Sequence, residues 1–519
     1  MKRRLARVSL LAALATAILV AGCGGDDEGA DTGAASIVPA SAPVYLDALI
    51  KPGGAAKEDA DAALGTILKT EDPGTAIVQE VEKQAAADGA DFDYARDVEP
   101  WLGESFTVFL TTIGGDTSDS EGAFAFETSD PDKALEFFKG AEDATGETKE
   151  YEGVEYEFDE DGDVLGRIDD FIVGGDENAF KAAVDAHNGD SLAEKDDFKD
   201  GIDELSDDRL ATLYVPPQEF LDAVPEKELS SDQRDLLEKS LGDAAREPVL
   251  GEVTASATDV SMELSAGGGD VETPPSTLLP ELPSAAWLGV GLADIGAAVQ
   301  RSVENVGEAG AASGVDAETI RRQLRSQLGI NLERDVINTL GDSALFVEGT
   351  TVKDVSGALV IQSKDPSGSA ELINKLQDLI SSRASPQDAR VQPLASAGGD
   401  QGFQIVDPSG ELQQPIQVVQ HDDKIVVGYG RRGVEQALSG GDTLANDPAF
   451  SAAQDAIGDL GVDAFLSFAP VFQLAEGAGA GADPDFKQAK PYLDSLNFLA
   501  TGSGSDGDRA TLRVIVGLR

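Results

Sequence analysis

The sequence predicts an α+β fold made by tandem duplication: two similar domains, each a largely antiparallel sheet with helices packed on it. Three observations lead there. Arg96-Asp97-Val98, three residues, then Leu102-Gly103-Glu104-Ser105 recurs as Arg334-Asp335-Val336, three residues, then Leu340-Gly341-Asp342-Ser343, with an apolar run after each. Short apolar runs come in pairs separated by turn residues, as β hairpins require. Between them lie stretches of helical period, so helices are interspersed with strands that pair antiparallel.

Taken in order, the chain opens with Lys2, Arg3, Arg4 and Arg7, an apolar run from Leu10 to Val20, and Val20-Ala21-Gly22-Cys23. This is the pattern of a secretory signal peptide, residues 1–22, ending in a lipobox whose cysteine sulfur receives a diacylglyceryl group. The apolar run is well short of the ~20 residues a bilayer-spanning helix needs. Lipidation at Cys23 is expected, and residues 23–36, rich in Gly, Ala and Asp, read as the lipidated residue and a flexible tether. Cys23 is the one cysteine of the 519 residues, which removes disulfide, thiol nucleophile and cysteine metal ligand together.

The first repeat is expected over 37–267 and the second over 278–519, with Gly267-Gly268-Gly269-Asp270 and Pro274-Pro275 marking a linker at 268–277. Each repeat starts with a proline-broken approach to an apolar strand, Val38-Pro39 to Tyr45 and Leu282-Pro283 to Trp287. Helices follow over 57–70 and 75–84. In the second repeat Asp316 serves as N-cap, Ile320, Leu324 and Leu328 form one face, and Gly329 ends the helix. After the Leu-Gly-(Glu/Asp)-Ser element come two strands, then Asp130-Pro131 or Asp365-Pro366. That dipeptide caps a helix and then opens it with a residue whose missing N–H goes unmissed. Next are strands at 155–158, 164–168 and 171–174, matched by 403–406, 416–419 and 425–428, with hairpin turns at Asp169-Asp170 and Asp422-Asp423. Short helices over 179–186 and 434–438 lead to Asp190-Ser191-Leu192-Ala193 and Asp442-Thr443-Leu444-Ala445. Strands at 210–215 and 464–468 come next, and a hairpin closes each repeat at 251–264 and 499–518. About 240 residues per repeat suffice for a separate core.

The lipobox, the proline-led first strand, the Leu-Gly-(Glu/Asp)-Ser element and the strand, Asp-Pro, helix unit together resemble a family of secreted bacterial lipoproteins. That family, mostly from high-GC Gram-positive lineages, is known as a domain of unknown function. The resemblance implies a lipid-anchored extracytoplasmic protein; it brings no activity, cofactor or catalytic residue.

Charge narrows the partners. The net charge is -57, with 17 Lys and Arg against 64 Asp and Glu over residues 24–277, and 18 against 32 over 278–519. Nucleic acid is excluded, because its binding requires phosphates to be neutralised by Lys and Arg. The acidic first repeat should stand off anionic headgroups and collect cations non-specifically.

Candidate chemistry is sparse. Asp159-Glu160-Asp161-Gly162-Asp163 suggests calcium, but the EF-hand loop needs glycine at its sixth position and an acid at its twelfth, where this chain has Phe171. Its counterpart Asp407-Pro408-Ser409-Gly410-Glu411 has fewer acids, so a hairpin tip is the shared reading. His187 and His421 fall at non-equivalent places in the repeats, and His421 beside Asp422 lies at a strand end where a polar residue is ordinary. Ser105 and Ser343 lack the glycine-framed elbow of a nucleophile. Arg96-Asp97 and Arg334-Asp335 are expected as buried polar groups, Asp capping a short helix and Arg packing its stem or pairing with a carboxylate, in preference to binding a ligand. Gly477 to Gly481 lacks the Lys and Ser or Thr of a phosphate loop and reads as a flexible loop.

No catalytic, cofactor-binding or metal-binding residue is therefore assigned. The expectation is a non-enzymatic lipoprotein on the extracytoplasmic face of the membrane, held by acylated Cys23, that binds or scaffolds an envelope component. The first alternative is a carrier of an acyl chain or other apolar ligand between sheet and helices, and the second an envelope enzyme. A contiguous apolar cavity would favour the carrier, a flat apolar patch the scaffold, and a cleft with convergent polar groups the enzyme.

Overall fold

The structure, a computed structural model, describes residues 33–519 apart from 88–91, 116–118, 142–143, 269–273, 311–315, 386–388, 395–400, 411, 413 and 507–508. The expected signal peptide, Cys23 and the tether up to residue 32 lie outside the described residues, as do residues 269–273 of the expected linker. The chain divides into two compact units, one of residues 1–271 with 505–513 and 518–519, the other of 272–504 with 514–517.

The first unit holds β1 (Val44–Leu49), β2 (Leu102–Thr112), β3 (Glu121–Thr128), β4 (Ala144–Tyr151), β5 (Val154–Asp159), β6 (Val164–Ile168), β7 (Phe171–Gly175), β8 (Ala211–Val215), β9 (Val249–Ala255) and β10 (Asp259–Gly267). Pairing is antiparallel throughout, in the order β10-β9-β8-β1-β2-β3-β7-β6-β5-β4. Period-2 alternation explains its two covered faces. Tyr45, Phe109 and Tyr214 point to one side, where Phe180 and Val184 of the helix Glu177–Asn188 and Phe198 complete a core. Phe126 and Ile172 point to the other, against Trp101 and Phe138. Trp101 Nε1 donates to Asp97 O at 2.5 Å, so the largest buried side chain also satisfies its polar atom.

The second unit holds β11 (Ala286–Leu292), β12 (Leu340–Glu348), β13 (Ser356–Ser363), β14 (Arg390–Pro393), β15 (Gln401–Val406), β16 (Ile416–His421), β17 (Lys424–Tyr429), β18 (Ala464–Ser467) and β19 (Leu496–Asp506). Their order, again antiparallel, is β19-β18-β11-β12-β13-β17-β16-β15-β14. Phe346, Val426, Phe450 and Phe465 build the core on one face. On the other, Leu372 and Ile373 of the helix Pro366–Arg383 close over Phe403, Val418 and Ile425.

The α+β class and the antiparallel pairing match the expectation, and so do the caps. Asp316 accepts from Thr319 N at 2.7 Å, Gly329 takes a left-handed φ of 70°, and Asp365 accepts from Ser367 N at 3.1 Å ahead of Pro366. Other readings are corrected. Residues 33–36, expected in the tether, form a 3-10 turn, Gly33–Ile37, because Ala34, Ala35 and Ile37 are buried in the first core. Of the expected linker, Ser276 is buried and its Oγ donates to Ser343 O at 2.8 Å. Gly477 to Gly481 is no loose loop: it is the turn between the helix Phe468–Gly477 and a 3-10 turn, Ala480–Ala482, with Gly479 at φ 109°. Strands β4 and β14 escaped the sequence because edge strands such as Gly146 to Glu150 face water on both sides and show no apolar alternation. The helix Ile295–Gly310 was likewise missed.

Candidate functional site

The repeated Arg-Asp-Val corner is built in the same way twice. Asp93 and Asn331 are the N-caps, accepting from Arg96 N at 2.9 Å and Arg334 N at 3.3 Å. Asp97 and Asp335 return the bond, each accepting from the cap's own N–H at 2.9 Å, a reciprocal box like that of Ser and Glu at helix starts. Each arginine then folds onto the next aspartate, at 2.6 and 2.7 Å. Both arginine side chains are exposed, contrary to the buried expectation, since each guanidinium reaches its carboxylate from the solvent side and water solvates the rest of it. Asp335 alone is deeply buried and receives a second cation, Lys375 Nζ at 2.8 Å. Burial opposes its charge, but the bonds from Arg334, Lys375 and Asn331 outweigh it and hold the carboxyl at about 2.

The serines after these corners do not share an environment. Ser105 Oγ donates to Glu127 at 3.2 Å, whereas Ser343 Oγ donates to Leu292 O at 3.3 Å. Ser105 thus meets a carboxylate and Ser343 only a backbone carbonyl, so the repeated serine has no shared partner set. The acidic tip is held by its own backbone: Asp159 Oδ1 accepts from Asp161 N at 2.8 Å and Asp163 N at 2.9 Å, around Gly162 at φ 93°. Asp407 does the same for Ser409 N and Leu412 N, around Gly410 at φ 83°. Both are Asx turns.

The two histidines, from different elements, meet the same corner. His187, at the end of its helix, approaches Asp169 at 3.4 Å, and His421, at the end of β16, approaches Asp422 at 3.7 Å. Both aspartates take left-handed φ, 47° and 49°, at the first position of the β6–β7 and β16–β17 turns. Beside His421 a cleft of about 360 Å³ opens, lined by Glu281, Asp423, Lys424 and residues 436–443. Lys424 Nζ is bound to Glu281 at 3.0 Å, and the Asp422 side chain is largely exposed. Charges so paired or hydrated lack the water-excluded setting that sharpens acid and base chemistry. No group of three or more His, Cys, Asp or Glu positioned for a metal occurs among the described residues.

The least expected surface lies on β11. The sequence Leu288-Gly-Val290-Gly-Leu292 alternates as a half-buried strand should, yet the glycines face the core. A Cβ at Gly289 would lie 2.8 Å from Leu279 Cδ1, and one at Gly291 2.7 Å from Ser276 Cβ. Leu288, Val290 and Leu292 therefore stand on the outer face. Val290 is 39% exposed, Leu292 47%, and Leu345, opposite Val290 on β12, 38%. Helix Pro366–Arg383 covers the outer face over β13 to β17, and the helices Ile295–Gly310 and Phe468–Gly477 approach β12 and β11, yet Val290, Leu292 and Leu345 stay exposed between them. The first unit has the same feature on a smaller scale: Leu46 of β1 is exposed between Val108 of β2 and Leu213 of β8. Near the far end of β12, Glu348 is completely buried, its Oε1 held by Arg432 Nε at 2.9 Å and Ser356 Oγ at 2.8 Å. Its Oε2 has no partner among the described residues. Binary patterning could not reveal which face of β11 is buried, since Gly and Leu both count as apolar.

No helix among the described residues is long and apolar enough to cross a membrane. No curated protein matches the chain. Two solved structures of TP0453, crystal forms IV and I, are similar at 13% and 11% identity. They cover 45% and 47% of this chain and 79% and 81% of their own, at TM-scores of 0.24 and 0.23, a likeness too slight to carry any inference. A family model matches over residues 5–394, and the chain accordingly belongs to the family described as protein of unknown function DUF3352.

Proposed function

We propose that this is a non-enzymatic lipoprotein, anchored through Cys23 on the extracytoplasmic face of the membrane, that binds or scaffolds a component of the cell envelope. The observation that carries the binding role is the exposed apolar strip of Val290, Leu292 and Leu345, a flat patch and not a reactive cleft. The lipobox supports the anchor, and the charge of -57 supports non-specific cation collection and argues against nucleic acid. Tandem duplication is the evolutionary reading we attach to it. The recurring Arg-Asp-Val corner and the nine strands that follow one order in each unit favour it. The experiment is fractionation of cells producing Cys23→Ser. Release of the variant into the soluble extracytoplasmic fraction is expected. Retention of an uncleaved form in the membrane would refute the lipid anchor.

A further inference from the structure

We propose that the apolar strip on the outer face of β11, β12 and β18 in the second unit, exposed at Val290, Leu292 and Leu345 and half-buried at Leu288, Val347 and Leu466, seats a single uncharged acyl chain, a ligand class for the non-enzymatic binding reading on which this inference rests.

The strand is built backwards for a purely structural element. Core packing against Leu279, Leu282 and Leu444 needs glycine on the inner face at Gly289, so β11 contributes nothing bulky to that core. Its large side chains, Leu288, Val290 and Leu292, all go outward, where packing gives no reason for them to be apolar. Leu345 and Val347 of β12 and Leu466 of β18 extend the same surface in register, Val290 facing Leu345 and Leu288 facing both Val347 and Leu466. None of these six residues carries a charge, in a chain where 26% of residues do. The helix Phe468–Gly477 continues from β18, and none of its apolar side chains is buried, including the stacked pair Phe468 and Phe472 at 5.7 Å.

Size and charge select the occupant. Three strands at ~4.8 Å spacing make a strip ~10 Å wide, and five residues at ~3.3 Å make it ~17 Å long. The resulting area, on the order of 200 Å², matches one extended hydrocarbon chain; it is below the ~800 Å² per partner of a stable protein interface, so a scaffolding contact here would have to draw on surface beyond the strip. A net charge of -57 further opposes a second copy, an anionic bilayer or a carboxylate head group at this face. A neutral hydrocarbon chain meets neither obstacle.

The test uses the full chain carrying Cys23→Ser, which has no acyl chain of its own, and the uncharged probe N-phenyl-1-naphthylamine, read by its fluorescence. Saturable binding is expected, displaced by monoolein. Leu292→Asn and Leu345→Thr should each weaken binding at least about fivefold, a change of roughly one side chain's contact. Val290→Trp, which keeps the face apolar but fills the strip, should exclude the probe, and Leu46→Thr in the first unit should leave the affinity at this site unchanged. Thermal melts identify any variant that fails to fold. Absence of saturable binding, or folded Leu292→Asn and Val290→Trp that bind as the parent does, would overturn the proposal. So would dimerisation through this face, seen by light scattering and lost in the same variants. Failure here with Cys23→Ser still released from the membrane would leave the anchored scaffold standing.

Discussion

Asp335→Asn should selectively destabilise the second unit, by an amount that disappears in acid. The substitution keeps the side chain's shape and an oxygen to accept from Asn331 N, and it removes the charge that Arg334 and Lys375 contact. A carboxyl held at about 2 against an ordinary 3.8 corresponds to roughly 2 kcal/mol of stability at neutral pH, at ~1.36 kcal/mol per unit. Because the folded value is depressed, that contribution is complete above pH 3.8 and is lost as pH falls toward 2. Asp97→Asn is the internal control. Its carboxyl is more exposed and the cation bonded to it, Arg96, is itself exposed, so a loss below about 1 kcal/mol is expected. Each unit has one tryptophan, Trp101 and Trp287, so urea unfolding of Trp101→Phe protein followed by fluorescence reports on the second unit alone. A difference below about 0.5 kcal/mol at pH 7, or one that persists unchanged to pH 2, would refute the reasoning.

Two further perturbations follow from buried and surface charge. Arg432→Met should cost about 3–5 kcal/mol by leaving Glu348 buried without its cation, and adding Glu348→Leu should restore most of it; denaturation of the single and double variants checks this. The first unit, where acids outnumber bases most, should gain more thermal stability from added salt than the second, as read separately from Trp101 and Trp287. Calcium should act there as a counterion. Saturable stabilisation at micromolar calcium, abolished by Asp161→Asn and Asp163→Asn, would revive a specific site.

Local chemistry is where the sequence spoke clearly. Asp316, Gly329 and the Asp365-Pro366 pair determine helix ends through bonds within a few residues, and Asp169-Asp170 and Asp422-Asp423 determine hairpin turns, so the α+β class was legible from neighbours alone. What the sequence could not settle depends on contacts between distant residues. Arg96-Asp97 and Arg334-Asp335 read identically, yet only Asp335 is buried and meets Lys375, a partner 40 residues away that local sequence does not reveal. Gly33 to Ser36 reads as tether until Phe109 and Phe180 supply a core to bury Ala34 and Ala35. The apolar strip of β11 is the sharpest case. Period-2 alternation says that Leu288, Val290 and Leu292 share a face, but which face is decided by Leu279, Leu282 and Leu444, whose volume leaves room inside for glycine and nothing larger.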